Sequence, residues 1–241
     1  MGLPPSHLPR LAVSTVVFAL HAFEDGAMPA LWMPLVRRIH PPFLGLWALP
    51  GGPLGARESL VAAARNRLHA VTGMAPRYLE QLYTFGDPDR SGDQRLITIV
   101  YWALVGQAEA DAFDCKDVNV RWFPADNLPE LAFDHAHIVR YALWRLRTKV
   151  EYAQIAHRFL GEAFTIAQLR SVHEAILQQR LDPANFRRQT EASGQLIDTG
   201  QVQSGVRHRP PRLYRFAEAP DANADSFHCS QSLGSCDAAS L

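Results

Sequence analysis

Cysteine is scarce. The chain has three in 241 residues, Cys115, Cys229 and Cys236. Their odd number, and the lack of histidines at ligand spacing, argue against a disulfide framework and a zinc site; free thiols fit a reducing cytosol. Net charge is missing as well: 24 Lys and Arg face 24 Asp and Glu, so the total says nothing about partners. No hydrophobic run is long enough to span a bilayer. The longest, residues 11–23 behind Arg10, is interrupted by His21, followed by Glu24 and Asp25, and closed by no small-x-small cleavage pattern. That argues against a secretory signal and favours a buried strand. Internal repeats are absent.

What is present is apolar mass. With 47% apolar residues and 10% aromatics the chain can bury a real core, which excludes global disorder, and its length suits two ordinary domains. Charge is distributed unevenly. Residues 1–149 carry 15 basic and 14 acidic side chains, residues 150–216 carry nine Arg, no Lys and six acids, and residues 217–241 carry four acids alone. An all-arginine surplus therefore lies on one segment, where it can face phosphates.

The chain divides into consecutive blocks. A Pro-rich lead-in covers 1–9. Over 10–132, the runs 11–23, 30–38, 78–85, 96–105 and 118–123 are rich in Val, Ile, Leu and aromatics and bounded by Pro, Gly or Asp, as strands are. Between them, 58–71 puts Leu60, Ala64, Leu68 and Val71 on one helical face and stops at Gly73, a C-terminal cap. This mixture predicts an α/β (α+β) domain. A single long helix is expected over 134–159, linking it to a second domain at 160–216. There Thr165 and Gln168 form a capping box, and Asp182-Pro183 starts a second helix. Strands at 195–202 and 212–216 flank a basic loop. That is the pattern of a winged helix, with residues 217–241 a disordered tail.

Two motifs carry chemistry. In the first, Gly52, Glu58, Leu68, Gly73 and Met74 fall into the frame G-x5-E-x7-R-E-U-x-E-E-x-G-U, with U aliphatic, and Trp47-Ala48-Leu49-Pro50-Gly51-Gly52 leads into it. This resembles the Nudix box. The acids that would gather magnesium on one helix face are replaced by Arg67, Ala70 and Val71, and the box arginine by Asn66. A hard cation needs oxygen ligands, which guanidinium, methyl and isopropyl groups do not offer. Magnesium is therefore not expected, nor is hydrolysis in the usual manner, and no catalytic or metal residue is assigned. Arg67 either substitutes its charge for the metal beside a pyrophosphate or simply pairs with an acid such as Glu58.

In the second motif, the helix from Pro183 presents Asn185, Arg187, Arg188, Gln189 and Thr190, with Phe186 turned inward. Arg207, His208, Arg209 and Arg212 lie in or beside the wing. Arg, Asn and Gln read base edges in the major groove, and cations track phosphate. An arginine-bearing helix in a protein-interaction winged helix is the alternative.

The order of these marks, with residues 78–88, 131–136, 185–188 and 212–216 added, is similar to the Nudix-related transcriptional regulators of NAD metabolism, the NrtR type, over residues 10–216. The resemblance implies a Nudix α/β/α sandwich, a C-terminal winged helix and a cytoplasmic homodimer. Such a protein binds a double-stranded DNA operator, and a small nucleotide effector such as ADP-ribose relieves repression. Some members keep hydrolase activity, and a pyrophosphatase with an appended winged helix is the alternative. The effector pocket is expected at Arg37, Arg38, Gly51, Gly52, Arg57, Glu58, Arg67 and the Tyr83, Phe85, Asp87 segment, whose aromatics either stack on a base or belong to strand core. The wing departs from the usual Gly-Arg-Pro-Ala pattern.

Overall fold

A computed structural model describes residues 8–21, 29–91, 95–106, 109–110, 118–152, 154–203 and 210–217. The apolar run that opens the chain is strand β1 (Arg10–His21), paired in parallel along its length with β6 (Leu96–Val105). Both strands are nearly continuous hydrophobic sequence because both of their faces are covered. One face directs Val13, Val17, Ile99 and Ala103 towards helix α1 (Leu60–Thr72). The other directs Val16, Phe18, Val100 and Trp102 towards helix α2 (His135–Tyr152). Strands β2 (Ala30–Arg37), β3 (Trp47–Ala48), β4 (Gly51–Pro53), β5 (Tyr78–Phe85) and β7 (Val120–Pro124) complete a seven-stranded sheet. The result is a sheet between helices, an α/β/α sandwich.

Local chemistry sets the helix ends. Ser59 caps α1, accepting from the Ala62 N–H, so the helix opens at Leu60 rather than Glu58. Gly73 closes it in the left-handed conformation (φ 71°), and its N–H donates to His69 O. The run expected as one helix over 134–159 is two elements, α2 and a 3-10 helix Gln154–Phe159. The tighter segment buries Ile155, Ala156 and Phe159 against the sheet end. Its approach is close: a Cβ on Gly106 would lie 3.0 Å from the Phe159 carbonyl oxygen. With no Gly or Pro in the run, the sequence holds no stop signal there.

The second unit consists of α3 (Ile166–Leu177), α4 (Pro183–Ala192) and the antiparallel pair β8 (Leu196–Val202) and β9 (Arg212–Phe216). Thr165 and Gln168 form the capping box on α3, and the Asp182 side chain caps α4 with Pro183 in its first turn. Buried Phe164 exchanges both backbone hydrogen bonds with Tyr214, at 2.9 and 2.8 Å, tying the start of the unit to β9. Leu169, Val172 and Ile176 of α3 extend the core that α2 shares with the sheet. Among the described residues no helix is long and apolar enough to cross a membrane.

Candidate functional site

Two surfaces assemble from the marked segments. The first is a cavity of about 740 Å³ at the Arg10 end of β1, on the α2 side of the sheet. That size suits a small-molecule ligand. β1 and β6 supply Arg10, Ser14 and Thr98, and β4 supplies Gly51 and Gly52. Gly51 is there because a Cβ would sit 2.5 Å from the Val13 carbonyl oxygen, where β4 pairs with β1 in antiparallel.

The opposite wall is cationic and aromatic. Arg38 lies 4.7 Å over the Phe133 ring and donates through Nε to the Pro42 carbonyl at 2.8 Å. Burial lowers its pKa from the ordinary arginine value. Arg90, with a side chain only 4% exposed, grips Asp134 by two bonds of 2.8 and 2.7 Å and donates to Thr98 Oγ1. Asp134 stands behind Arg90; no carboxylate is in the described lining. His135 accepts the Leu49 N–H at Nδ1 (3.0 Å). Burial pushes its pKa down to about 4, with Arg90 and Arg38 reinforcing the shift and Asp134 opposing it. The ring is therefore neutral, and with Nδ1 accepting, the proton sits on Nε2. Such a site offers donors and positive charge, the chemistry a phosphate or diphosphate needs.

The box helix borders this cavity without lining it. Glu58 accepts from Asn66 Nδ2 at 2.9 Å and lies 3.6 Å from Arg67 Nη2, which also donates to the Pro53 carbonyl at 2.9 Å. The one box carboxylate left in the frame is thus engaged by neighbours that stand where the family frame has an arginine and an acid. A magnesium ion held by several carboxylates does not fit this donor set, and among the described residues no group of three His, Cys, Asp or Glu could hold a metal.

Of the residues marked from sequence, Arg38, Gly51 and Gly52 line the cavity, while Arg57, Glu58, Arg67, Tyr83, Phe85 and Asp87 do not. Arg37 is exposed and donates to the Gly45 carbonyl. Arg57 and Asp87 are exposed. Phe85 is buried core, stacked edge-on with His137 and Tyr141, because its side of β5 faces α2. Tyr83 contacts Tyr141 on the surface, at 5.1 Å between ring centroids. Arg10, Arg90, Phe133 and His135 were not marked. The only sequence signal for the last two was the segment 131–136, and Arg10 and Arg90 had none.

The second surface lies between α4 and the wing, where a groove of about 640 Å³ is lined by Arg170, Arg187, Glu191, Pro211 and Arg212. Asn185, Arg187, Arg188 and Gln189 are exposed, Thr190 is half-buried, and Phe186 packs edge-on to His173. Several of these groups are held internally: Arg187 by Glu191 (2.9 Å), Arg188 by Asn185 (2.8 Å) and Arg212 by Asp198 (2.8 Å). The Gly200 N–H and Arg212 lower the pKa of Asp198. Arg207, His208 and Arg209 lie outside the described residues, as does the segment 218–241.

Comparison with known proteins follows the same division. The NUDIX domain profile matches residues 12–142, and the profile described as the NrtR DNA-binding winged helix domain matches 156–216. The chain is 30% identical over 207 residues to the ADPR responsive transcriptional repressor NtrR of Acinetobacter baylyi, covering 84% of this chain and 81% of that protein. It is 34% identical over 112 residues to an ADP-ribose pyrophosphatase of Methanocaldococcus jannaschii, covering 46% of this chain and 66% of that one. The crystal structure of Shewanella oneidensis NrtR complexed with a 27mer DNA is similar at a TM-score of 0.71 and 34% identity, over 86% of this chain and 93% of that chain.

Proposed function

The chain belongs to the NrtR family of Nudix-domain transcriptional regulators, and on that premise we propose that it is a repressor that binds a double-stranded DNA operator through α4 and the wing and responds to ADP-ribose held in the cavity lined by Arg10, Arg38 and His135. The observation that carries this reading is the pairing of a cation-lined cavity with a box motif whose remaining carboxylate, Glu58 just before the helix, already meets Asn66 and Arg67. Such a pocket holds a diphosphate by guanidinium and imidazole donors and lacks the oxygens that assemble a metal-activated water. Binding without turnover is what a sensor requires.

In this proposal magnesium is not needed for effector binding. Arg38 and the neutral His135 meet the diphosphate, Phe133 and Arg38 form one wall, and Arg187, Arg188, Arg212 and the wing segment 207–209 meet DNA. The protein acts in the cytoplasm as a homodimer. Dimerisation is supported by the small basic surplus of the winged-helix segment, which one copy must double to hold an operator. An aromatic stripe on α2 and β5 supports it too, with Trp144 56% and Tyr83 53% exposed.

Calorimetric titration of ADP-ribose with and without magnesium, followed by DNA-binding anisotropy with and without ADP-ribose, tests the reading. Expected are binding in chelator, no release of AMP, and weaker DNA binding when the nucleotide is present. Magnesium-dependent cleavage of ADP-ribose at enzymatic rates would sink it.

A further inference from the structure

Glu174, on α3, is a carboxylate with a side chain 2% exposed, and neither surface described above uses it. Its Oε1 accepts the Leu181 N–H at 2.9 Å and an Arg170 Nη1–H at 3.2 Å. The same Arg170 nitrogen donates to the Leu181 carbonyl at 3.2 Å, and Arg180 Nη1 lies 3.9 Å from Oε2. Two side chains one helical turn apart on α3 therefore hold both backbone polar groups of a single residue in the turn between the helices.

That residue occupies a sensitive place. Leu181 immediately precedes Asp182, whose Oδ1 accepts the Asn185 N–H at 2.8 Å as the cap of α4, and Pro183 begins the helix. From the α3 carboxylate the constraint passes through Leu181 and the cap into the axis of α4. We propose that Glu174 is a positioning residue for DNA reading, setting the direction in which α4 leaves α3. Burying a carboxylate is costly, and an apolar side chain in its place would leave the Leu181 N–H without its acceptor. What the carboxylate adds is a directional acceptor. Leverage makes direction matter: α4 has ten residues, about 15 Å at 1.5 Å each, so a tilt of about 10° swings its far end by ~3 Å. Recognition geometries tolerate far less.

The inference rests on the reading of α4 as the DNA-contacting helix, and two variants separate the ideas. Glu174→Gln keeps the reach of Oε1 and removes the charge; Glu174→Asp keeps the charge and withdraws the acceptor by about 1.5 Å, one carbon–carbon bond. The probes are a duplex enriched by the wild-type chain from a random-sequence library and a scrambled duplex of the same composition, at one fixed salt concentration. Expected for E174D is about a tenfold loss on the enriched duplex with less than about twofold on the scrambled one, the signature of lost specific contacts rather than lost charge. E174Q stays within about twofold of wild type on both. The reverse ranking of the variants, or an equal loss on both duplexes, overturns the proposal. Hydrogen exchange of the Leu181 amide reads the clamp without DNA: it accelerates in E174D and not in E174Q, and an unchanged rate in E174D also overturns it. If the wild type enriches no duplex while exchange behaves as expected, the DNA reading falls and the clamp stands as a structural feature only.

Discussion

Replacing His135 by Gln tests the architecture of the sensor cavity through pH. In the folded protein the ring is buried and neutral, with a pKa of about 4 against 6.5 for a free histidine. As pH falls below 6.5 the unfolded chain takes up a proton that the folded chain refuses. Stability is therefore complete above pH 6.5 and is lost progressively between 6.5 and 4. At pH 5.5 one such histidine costs about 1.4 kcal/mol, and by pH 4 about 3 kcal/mol. His173, which burial also pushes down to about 4, adds a second loss of the same sign and size. Wild type then loses about 3 kcal/mol between pH 8 and 5.5 from this pair. Glu80 does not enter that window. Burial opposes the shift, but bonds from Tyr78, Lys149 and Trp102 lower its pKa on balance, so its contribution is lost only as pH falls below 4.5.

The Gln side chain can still accept the Leu49 N–H but does not titrate. His135→Gln should therefore cost about 1 kcal/mol or less at pH 8 and roughly halve the loss on going to pH 5.5. Urea unfolding at pH 8, 6.5 and 5.5 measures both quantities. If the variant loses as much stability as wild type between pH 8 and 5.5, His135 is not the buried neutral group described here, and its role as an Nε2 donor to a ligand fails with it.

Other outcomes follow from the same geometry. Arg38→Ala should weaken ADP-ribose binding about tenfold or more by calorimetry, the loss of a charge-assisted contact; unchanged affinity would place the ligand elsewhere. Glu191→Gln frees Arg187 from its ion pair and should tighten DNA binding by about two- to fivefold in anisotropy titrations at constant salt. Weaker binding would mean that Glu191 assists the contact rather than competing with it. Restoring the box acids in the triple variant Arg67→Glu, Ala70→Glu, Val71→Glu should create a magnesium response. At ten times its dissociation constant the ion stabilises by about 1.4 kcal/mol, or ~3–5 °C in the melt. No such rise is expected for wild type, and a wild-type rise of that size would refute the donor-set argument.

Much of this was legible in the sequence because it depends on local signals. Continuous apolar strands announce β1 and β6, since both faces of the sheet are covered. Thr165 with Gln168, Asp182 with Pro183, and Gly73 mark helix ends by hydrogen-bonding chemistry that needs only neighbouring residues. Strands β3 and β4, of two and three residues, carry no periodicity, and β4 depends on Gly51, whose missing Cβ lets it lie close against β1. The cavity was half legible. Gly51 and Gly52 belong to a recognisable frame, Arg38 to the end of an apolar strand and His135 to the segment 131–136, whereas Arg10 and Arg90 come from distant segments with no signal of their own. Tyr83 and Phe85 were marked as possible stacking partners for a base, and the pleat of β5 turns Phe85 into the core instead.

The two surfaces are physically joined by α2. Its first residue, His135, stands in the cavity wall. Twelve residues on, Arg147 donates to Asp126 Oδ1 at 2.6 Å in the sandwich and to the Ile176 carbonyl at 2.9 Å at the end of α3. Near its last turn Lys149 meets Glu80 on β5 at 3.1 Å. A helix pinned at three places to two units does not let one end move alone. If nucleotide binding favours one placement of His135 and DNA favours another orientation of α4, the same helix must mediate both preferences, and linkage then makes the effect reciprocal. DNA must weaken nucleotide binding by the factor by which nucleotide weakens DNA binding. Calorimetry performed on the DNA complex measures that factor directly.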